Sequence, residues 1–309
     1  MSRMRLVTVA GCAVVLWAGI GVRAQNPPRP AFEVASVKPS APNPGDFMSS
    51  IPRVTNSNGR LTAANLPLRL LVRIAYEVND FQISGGPADL LAAKYDITAK
   101  AEDGAGVTPK DVMAMLRSLL IDRFHLETHT ESREMPIYAL VVARDDGKLG
   151  PDLKPSTSDC VGKEAETQKR LEALAQGGAA AAMSLLTGPP IPCTMLPAAR
   201  GAGSFGLRGN GQPIASLMQL LTQATGRSVV DRTGLAGLYD FELRFDAEIM
   251  LRLAAQAGVN VPAAPANLPP SDSPALMTAL QEQLGLALDS TRGPVDVLVI
   301  DHVEAPAPD

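Results

Sequence analysis

One stretch near the end of the chain, SVVDRTGLAGLYDFELRF at positions 228–245, limits the possible folds more than any other. It predicts a short strand, a glycine-containing turn and a second strand whose apolar and polar residues alternate, so that one face is buried. An earlier stretch, QISGGPADLLAAKYDITAKA at 82–101, repeats this order, and we therefore predict an internal duplication. The residues that we interpret as its turn and fold signature are Gly85, Gly86, Tyr95, Asp96, Asp231, Gly234, Gly237, Tyr239 and Asp240.

Prolines mark the helix starts in both halves. Pro67 precedes LRLLVRIAYEV, whose apolar residues recur at helical spacing, and Asn65 is a candidate cap for this helix. Pro213 opens IASLMQLLTQATG in the same way. A second helix is predicted to begin at Thr108-Pro109 in the first half, and another at Pro274 in the second.

The strands that follow these helices also correspond. The first half ends with HLETHTESR and IYALVVAR, separated at Met135-Pro136, and the second half ends with GLALDS and PVDVLVIDHV. The sequence therefore predicts an α+β fold of two tandem duplicated units. Each unit is a strand, a helix, two strands, a second helix and two strands, with the helices packed on small mixed or antiparallel sheets.

Proline-rich and glycine-rich stretches set the predicted domain boundaries. They divide the chain into a signal peptide (1–24), a Pro-rich leader with a first strand and a loop (25–58), a first α+β unit (59–150), an insertion or linker with a cysteine pair (151–208), and a second α+β unit (209–306) interrupted by an insertion at 247–270.

The N-terminal segment has the pattern of a secretory signal peptide. Arg3 and Arg5 precede an apolar run at 6–22, and the small-residue pattern that ends at Ala24 predicts cleavage after that residue. The expected location is therefore periplasmic or secreted. An uncleaved membrane anchor is the alternative, since an apolar run of about 17 residues approaches the length that spans a bilayer.

Charge and cysteine content restrict the partners and the compartment of the mature chain. Without residues 1–24 the chain keeps 25 basic and 32 acidic side chains, which disfavours nucleic acid as a partner. Cys160 and Cys193 are the only cysteines left, and an even pair in an exported protein predicts a disulfide. Two unpaired thiols or a partial metal site are the alternatives.

Several stretches together resemble a known family. FEVASVKPS (32–40), LLIDRFHLETHTESREMPIYALVVAR (119–144), VVDRTGLAGLYDFELRF (229–245) and VDVLVIDHVEAP (295–306) resemble the exported Solibacter-type proteins of unknown function, abundant in Acidobacteria. The resemblance covers nearly the whole mature chain and implies no established activity and no catalytic residue. Similar domains attached to membrane metallopeptidases of the beta-lactam-sensor type imply a sensing or docking role, with a membrane sensor-peptidase system as partner.

A looser likeness is to the short N-terminal domain of secretins and TonB-dependent receptors. There, too, one helix begins near a Pro-Leu pair and another ends in Leu-Gly-Leu, as around Pro213 and at 284–286 here. That domain is a protein-interaction module, so the likeness favours the fold and agrees with a docking role.

Alternating histidines and glutamates suggest one candidate for chemistry. His125, Glu127, His129 and Glu131 would share one face of a strand, and a pair of them could begin a metal site. We favour a solvated strand face. A second group, Asp231, Asp240, Asp246 and Asp301-His302, could support acid-base chemistry, but Asp240 matches Asp96 in the other half, which favours a structural role.

We therefore expect no catalytic residue and no cofactor, and predict a non-enzymatic binding or protein-interaction module of the cell envelope. Its expected partner is an envelope protein or an extracellular ligand. The alternative is a metal-dependent or carboxylate-based extracytoplasmic hydrolase that uses the His125 to Glu131 face or the carboxylates near Asp231. A cleft that joins these residues would favour the enzyme, and their dispersal over separate surfaces would favour the binding protein.

Overall fold

The computed structural model has the α+β fold that the sequence predicts, with helices packed on three four-stranded sheets. The residues that the structure describes are 29–41, 53–57, 59–102, 106–160, 162–163, 166–167, 169–171, 188, 191–199, 204–246 and 274–307. The predicted signal peptide, the loop at 42–52, parts of the predicted insertion at 151–208 and the insertion at 247–270 lie outside these residues.

The two α+β units contain the predicted helices and strands, but the structure adds a short helix at 88–92, a strand in the predicted loop and strands in the predicted insertion. The strands, in chain order, are β1 (Val34–Pro39), β2 (Arg53–Ser57), β3 (Arg60–Pro67), β4 (Ile83–Gly85), β5 (Lys94–Lys100), β6 (Glu127–Val142), β7 (Leu153–Pro155), β8 (Thr194–Ala199), β9 (Ser204–Gln212), β10 (Val229–Asp231), β11 (Tyr239–Asp246) and β12 (Leu286–His302). The principal helices are α1 (Leu68–Tyr76), α2 (Ala88–Ala92), α3 (Pro109–Phe124), α4 (Ile214–Thr225) and α5 (Leu276–Ala279), which continues as a π-helical turn at Leu280–Leu284.

The first sheet has the strand order β1-β5-β3-β2 and is antiparallel throughout. Helix α3 begins as predicted, because Thr108 Oγ1 accepts the N–H of Asp111 while the Asp111 carboxylate accepts the N–H of Thr108. Helices α1 and α3 bury their apolar stripes on this sheet, with Leu71 and Leu116 almost fully buried.

The structure corrects the prediction that Asn65 caps the first helix. Asn65 does not cap α1, whose first residue, Leu68, instead donates its N–H to the carbonyl of Ala93. Asn65 lies in a β-bulge with a positive φ of 57°, and its backbone N–H donates to the carboxylate of Asp96 on the neighbouring strand over 2.7 Å. Its position two residues before a proline resembled a capping position, but a partner across the sheet determines its conformation.

The second sheet has the order β7-β11-β9-β8 and carries helices α4 and α5. The predicted alternation on β11 is confirmed, because Tyr239, Phe241, Leu243 and Phe245 are all buried. Three of its strands include residues from 151–208, the segment that we assigned to an insertion. Strands β8 and β9 pair with each other, whereas β7 and β9 pair with β11, which lies further along the chain. The glycine-rich and proline-rich composition of this segment did not reveal these strands.

A third sheet, with the order β10-β6-β12-β4, lies between the two cores. The long strands β6 and β12 pair antiparallel along nearly their whole length, where we predicted two shorter strands for each. The expected break at Pro136 is absent because neither Pro136 nor Pro294 lies opposite the short strands β10 and β4. A proline nitrogen on a free strand edge leaves no ladder hydrogen bond unmade.

Each short strand of this third sheet pairs with a long strand of the other unit. Strand β4, from the first unit, pairs in parallel with β12 of the second, and β10, from the second unit, pairs in parallel with β6 of the first. Leu298 and Ile300 of β12 consequently belong to the first core, and Leu140 of β6 belongs to the second. Each core therefore includes apolar residues from both halves of the chain.

A disulfide joins the segment after β7 to the residue that precedes β8. Cys160 and Cys193 are bonded, with their Cα atoms 5.3 Å apart, which confirms the predicted pair. Cys160 is buried, and its sulfur packs against the backbone of Gly211 in β9. Since disulfides persist in oxidising compartments, this bond indicates an extracytoplasmic environment.

Candidate functional site

All three histidines of the chain lie near one end of the β6/β12 pair. His125 is not on the strand, contrary to our prediction, because it ends α3 in the left-handed conformation, with φ of 49°, and β6 begins at Glu127. The predicted common strand face therefore holds Glu127, His129 and Glu131 without His125. Glu127 lies opposite His302 in the pairing of β6 with β12.

His129 forms the tightest imidazole-carboxylate pair of this group. Its Nδ1 lies 2.8 Å from Asp301 Oδ2, and its Nε2 lies 3.9 Å from Glu131. The hydrogen bond with Asp301 raises the pKa of His129 above its ordinary value, because the carboxylate stabilises the imidazolium form. Glu131 in turn pairs with Arg133. This arrangement can hold a proton, but it is exposed to solvent.

A second set of pairs surrounds Glu304, just beyond the end of β12. Its carboxylate lies 3.3 Å from His125 Nδ1 and 2.9 Å from His302 Nε2, and its backbone N–H donates to the carbonyl of Phe124. These contacts fasten the end of the chain to the C-terminus of α3. Among the residues that the structure describes, no group of three or more His, Cys, Asp or Glu has a metal-binding arrangement.

The signature aspartates make local hydrogen bonds. Asp231 accepts the backbone N–H of Thr233 over 2.8 Å and its hydroxyl over 2.7 Å, as in an Asx turn. Asp240 accepts the backbone N–H of Gly211 over 2.7 Å, which is the same bond that Asp96 makes with Asn65. Both contacts stabilise the backbone of the sheets.

The signature glycines and tyrosines differ in their surroundings. Gly85, Gly86, Gly234 and Gly237 all have positive φ. A Cβ on Gly85 would also lie 2.6 Å from the carbonyl oxygen of Ile300, whereas Gly234 and Gly237 have open space around them. The glycines thus provide a turn conformation in both units and, in the first unit, a close approach to β12. The Tyr95 ring packs edge-on against Phe124, and the Tyr239 hydroxyl donates to the Ala236 carbonyl.

The structure divides the second candidate group, because Asp301 pairs with His129 whereas Asp231 lies far along β6 from it. Asp231 pairs with Leu140 near the end of β6, whereas His129 lies near its start. At about 3.3 Å per residue, the intervening strand spans roughly 36 Å. The structure therefore does not bring the histidine face and the Asp231 carboxylate into one site.

A cleft of about 510 Å³ lies between the two units, and we call it the interunit cleft. It is bounded by the C-terminal end of α1 and the loop after it on one side, and by the C-terminal half of α4 on the other. Residues that line it include Arg73, Glu77, Phe81, Gln219, Thr222 and Gln223. Its lining contains no histidine.

Sequence reasoning missed this cleft, although a signal was present. Arg73 and Gln219 each lie six residues after the proline that precedes their helix, and Glu77 and Gln223 each lie ten residues after it. The cleft is thus lined by matching positions of α1 and α4. An alignment of the two predicted helices on their prolines would have identified these pairs, but not that the helix ends face each other.

The two acidic side chains of the cleft are neutralised from outside its lining. Asp80 accepts from Arg69 Nε over 2.6 Å, and the Arg69 Nη2 also donates to the Asp80 and Ile83 carbonyls. Glu77 lies 3.4 Å from Arg117. Among the described residues, the guanidinium of Arg73 has no such partner, so the cleft presents one unpaired positive charge.

Among the described residues, no helix has both the length and the apolar character needed to cross a membrane.

Comparison with known proteins identifies the family. No curated protein and no solved structure matches this chain. A family model described as "Protein of unknown function (DUF3738)" matches residues 69–303, a span that begins in α1, ends just after β12 and includes the cleft, the disulfide, the second core and part of the first core. Because this match covers more than half of the sequence, the chain belongs to the DUF3738 family.

Proposed function

We propose that this protein is an exported, non-enzymatic binding module of the cell envelope, and that it binds an extracellular ligand in the interunit cleft. The observation that carries the proposal is that matching positions of α1 and α4 line one concave surface. The cleft volume lies within the range of about 300–1,000 Å³ typical of small-ligand sites. A ligand there would contact both units at once and would report their arrangement to a partner.

Two features support export. The disulfide between Cys160 and Cys193 requires an oxidising compartment, and the sequence before Ala24 has the pattern of a cleaved signal peptide. Mass spectrometry of the protein recovered from the periplasm or the medium tests the cleavage. A mature N-terminus at Gln25 is expected, and an intact N-terminus in the membrane fraction would favour an anchor.

A sensing or docking role is the second part of the proposal. Within the described residues, the histidine-carboxylate pairs lie at one end of the β6/β12 pair, and the ligand cleft is a different site. A membrane sensor-peptidase system is the partner that the family resemblance suggests. Co-purification of such a peptidase with this protein in the presence of ligand tests this role. Recovery of the same amount of peptidase from cells that lack this protein would contradict it.

We also propose that the two units share an origin. Both follow the order strand, helix, strand, strand, helix, strand, and both hold a bulge residue with positive φ through an aspartate on the adjacent strand. The matching cleft positions on α1 and α4 agree with this origin. Alignment of the two halves across many family members tests it, and a lack of any shared pattern would contradict it.

The hydrolase alternative rests on one observation, the 2.8 Å pair of His129 and Asp301, which is the geometry of an oriented general base. The wide separation from Asp231 and the absence of histidine from the cleft lining both weigh against it. Hydrolysis of ester, amide or glycoside test substrates that is lost in His129→Gln would support the alternative.

A binding experiment tests the main proposal directly. The mature protein, labelled with nitrogen-15, is titrated with a library of small polar compounds, and amide shifts are mapped to the structure. We expect compounds that shift resonances of α1 and α4 around the cleft. Gln219→Trp, which fills the cleft, should abolish these shifts. Gln281→Trp should preserve them, because Gln281 is an exposed residue of the π-helical turn after α5 and lies outside the cleft. Shifts that avoid the cleft, or survive Gln219→Trp, would refute the proposed site.

A further inference from the structure

We propose that the ligand of the interunit cleft is an uncharged saccharide of a few sugar units. This inference rests on the proposed function, because it assigns a chemical class to the ligand of the same cleft. A saccharide is recognised by side chains that both donate and accept hydrogen bonds, by an apolar surface for the C–H face of the ring, and by a site without a large net charge. The cleft has each of these properties.

Amide side chains supply the hydrogen-bonding surface. Gln219 and Gln223 lie four residues apart, so both project from the same face of α4 into the cleft. Both residues are exposed, and among the described residues neither side-chain amide has a hydrogen-bond partner. Each amide offers two donors and one acceptor oxygen, which matches the mixed donor and acceptor character of neighbouring sugar hydroxyls.

Polar side chains of the first unit, fixed by hydrogen bonds, line the opposite side of the cleft from these amides. Asn79 donates from its side chain to Gln82 Oε1 over 3.0 Å, and Arg69 holds Asp80 from outside the lining. Their orientation is therefore fixed before a ligand arrives, which reduces the entropy cost of binding. The Asp80 carboxylate keeps acceptor capacity for a hydroxyl group, since a carboxylate has about four acceptor sites.

The electrostatic balance of the cleft argues against a strongly charged ligand. Glu77 and Asp80 are each paired with an arginine, which leaves the positive charge of Arg73. The C-terminal ends of α1 and α4 both border the cleft, at Glu77 and Gly226. Each helix end is equivalent to roughly −0.5 of an elementary charge, so the two nearly cancel Arg73. A polyanion or a polycation would find no excess of opposite charge.

An apolar surface completes the site. Ile74, Val78 and the ring of Phe81 line the first-unit side of the cleft, and all three are only partly buried. An aromatic ring with an exposed face offers flat apolar area on which the C–H face of a pyranose can lie. Polar amides on α4 and apolar groups on the opposite wall thus match the two kinds of surface on a sugar ring.

Titration of the mature protein with three neutral trisaccharides tests this inference: maltotriose, cellotriose and tri-N-acetylchitotriose. We expect at least one of them to shift amide resonances around the cleft and to saturate. Gln223→Ala should weaken that affinity about fivefold, since one lost hydrogen bond costs about 1 kcal/mol. Phe81→Ala should also weaken it. The matched control Gln281→Ala should bind as the wild type does, and equal melting temperatures would exclude misfolding as the cause.

The possible failures are distinguishable. If none of the saccharides binds while tri-alanine or citrate shifts the cleft residues, the saccharide assignment is overturned and the proposed binding site stands. If no saccharide, peptide or organic acid shifts any cleft residue, both proposals fail. Saccharide binding that is unaffected by both Gln223→Ala and Phe81→Ala would place the sugar elsewhere and would also overturn the assignment.

Discussion

The carboxylate of Asp240 accepts a hydrogen bond of 2.7 Å from the backbone N–H of Gly211, at the bulge where β9 leads into α4. Gly211 has a positive φ of 61°, and the sulfur of Cys160 packs against it. Asp96 makes the same bond with Asn65 at the corresponding bulge before α1. The two contacts therefore set the direction in which each unit's first helix leaves its sheet.

Asp240→Ala should lower the free energy of unfolding by about 1–2 kcal/mol, because it leaves the Gly211 N–H without its charged acceptor. Asp96→Ala should cost a similar amount, since Asn65, whose N–H would lose this acceptor, is almost fully buried. Urea denaturation measures both values. Asp289→Ala, an exposed aspartate on β12, is the matched control and should change stability little. Equal losses in all three variants would contradict the proposed role.

Two glycines with nearly equal φ separate conformational strain from steric conflict. Gly226 and Gly285 end α4 and α5 with φ of 65° and 68°, but only at Gly285 would a Cβ meet another atom, 2.5 Å from the N of Gly150. Gly226→Ala should therefore cost about 1 kcal/mol. Gly285→Ala should cost clearly more, because the loop at Gly150 must move. Thermal denaturation that ranks the two variants in the opposite order would refute this explanation.

Reduction of the Cys160–Cys193 disulfide should destabilise the second core. The bond closes a loop with a sequence separation of 33, and loss of such a bond typically costs about 2–4 kcal/mol. Dithiothreitol should lower the melting temperature of the wild type and leave that of the Cys160→Ser, Cys193→Ser double variant unchanged. A reductant effect of similar size on the double variant would mean that the effect arises elsewhere.

The pair of His129 and Asp301 should make stability depend on pH in one direction. Because Asp301 raises the pKa of His129 in the folded state, the pair stabilises the fold fully below the ordinary histidine pKa. This contribution disappears as pH rises through the higher folded-state pKa. The stability difference between wild type and His129→Gln should therefore be larger near about pH 5.5 than near about pH 8.5.

Nuclear magnetic resonance titration of the His129 imidazole checks the cause. Asp301→Asn should return its pKa toward the ordinary value, because the hydrogen bond to a charged acceptor is the main reason for the shift. An unchanged His129 titration in Asp301→Asn would contradict the assignment.

Local patterns predicted most of the helices and strands. Alternation identified β5 and β11 because their polar and apolar faces follow the pleat, and the Thr108 capping box identified the start of α3 because both partners lie within one turn. The disulfide was also predictable, since Cys160 and Cys193 are the only cysteines after the expected cleavage site.

Long-range pairing explains what the sequence did not reveal. Pro136 looked like a strand break, yet it lies within β6 because the short strand β10 does not pair with β6 at that position. Asn65 looked like a helix cap because its true partner, Asp96, is 31 residues away. The interunit cleft depends on how two helix ends face each other, and nothing local to either helix specifies that distance.

The pairing of each short strand with a long strand of the other unit also affects the order in which the cores can be completed. The first core contains Leu298, Ile300 and Val303, which come much later in the chain than the helices with which they pack. A nascent chain can form α1, α3 and their sheet early, but one side of that core stays open until β12 has been synthesised. The first unit therefore cannot complete its core before most of the second unit has emerged from the ribosome.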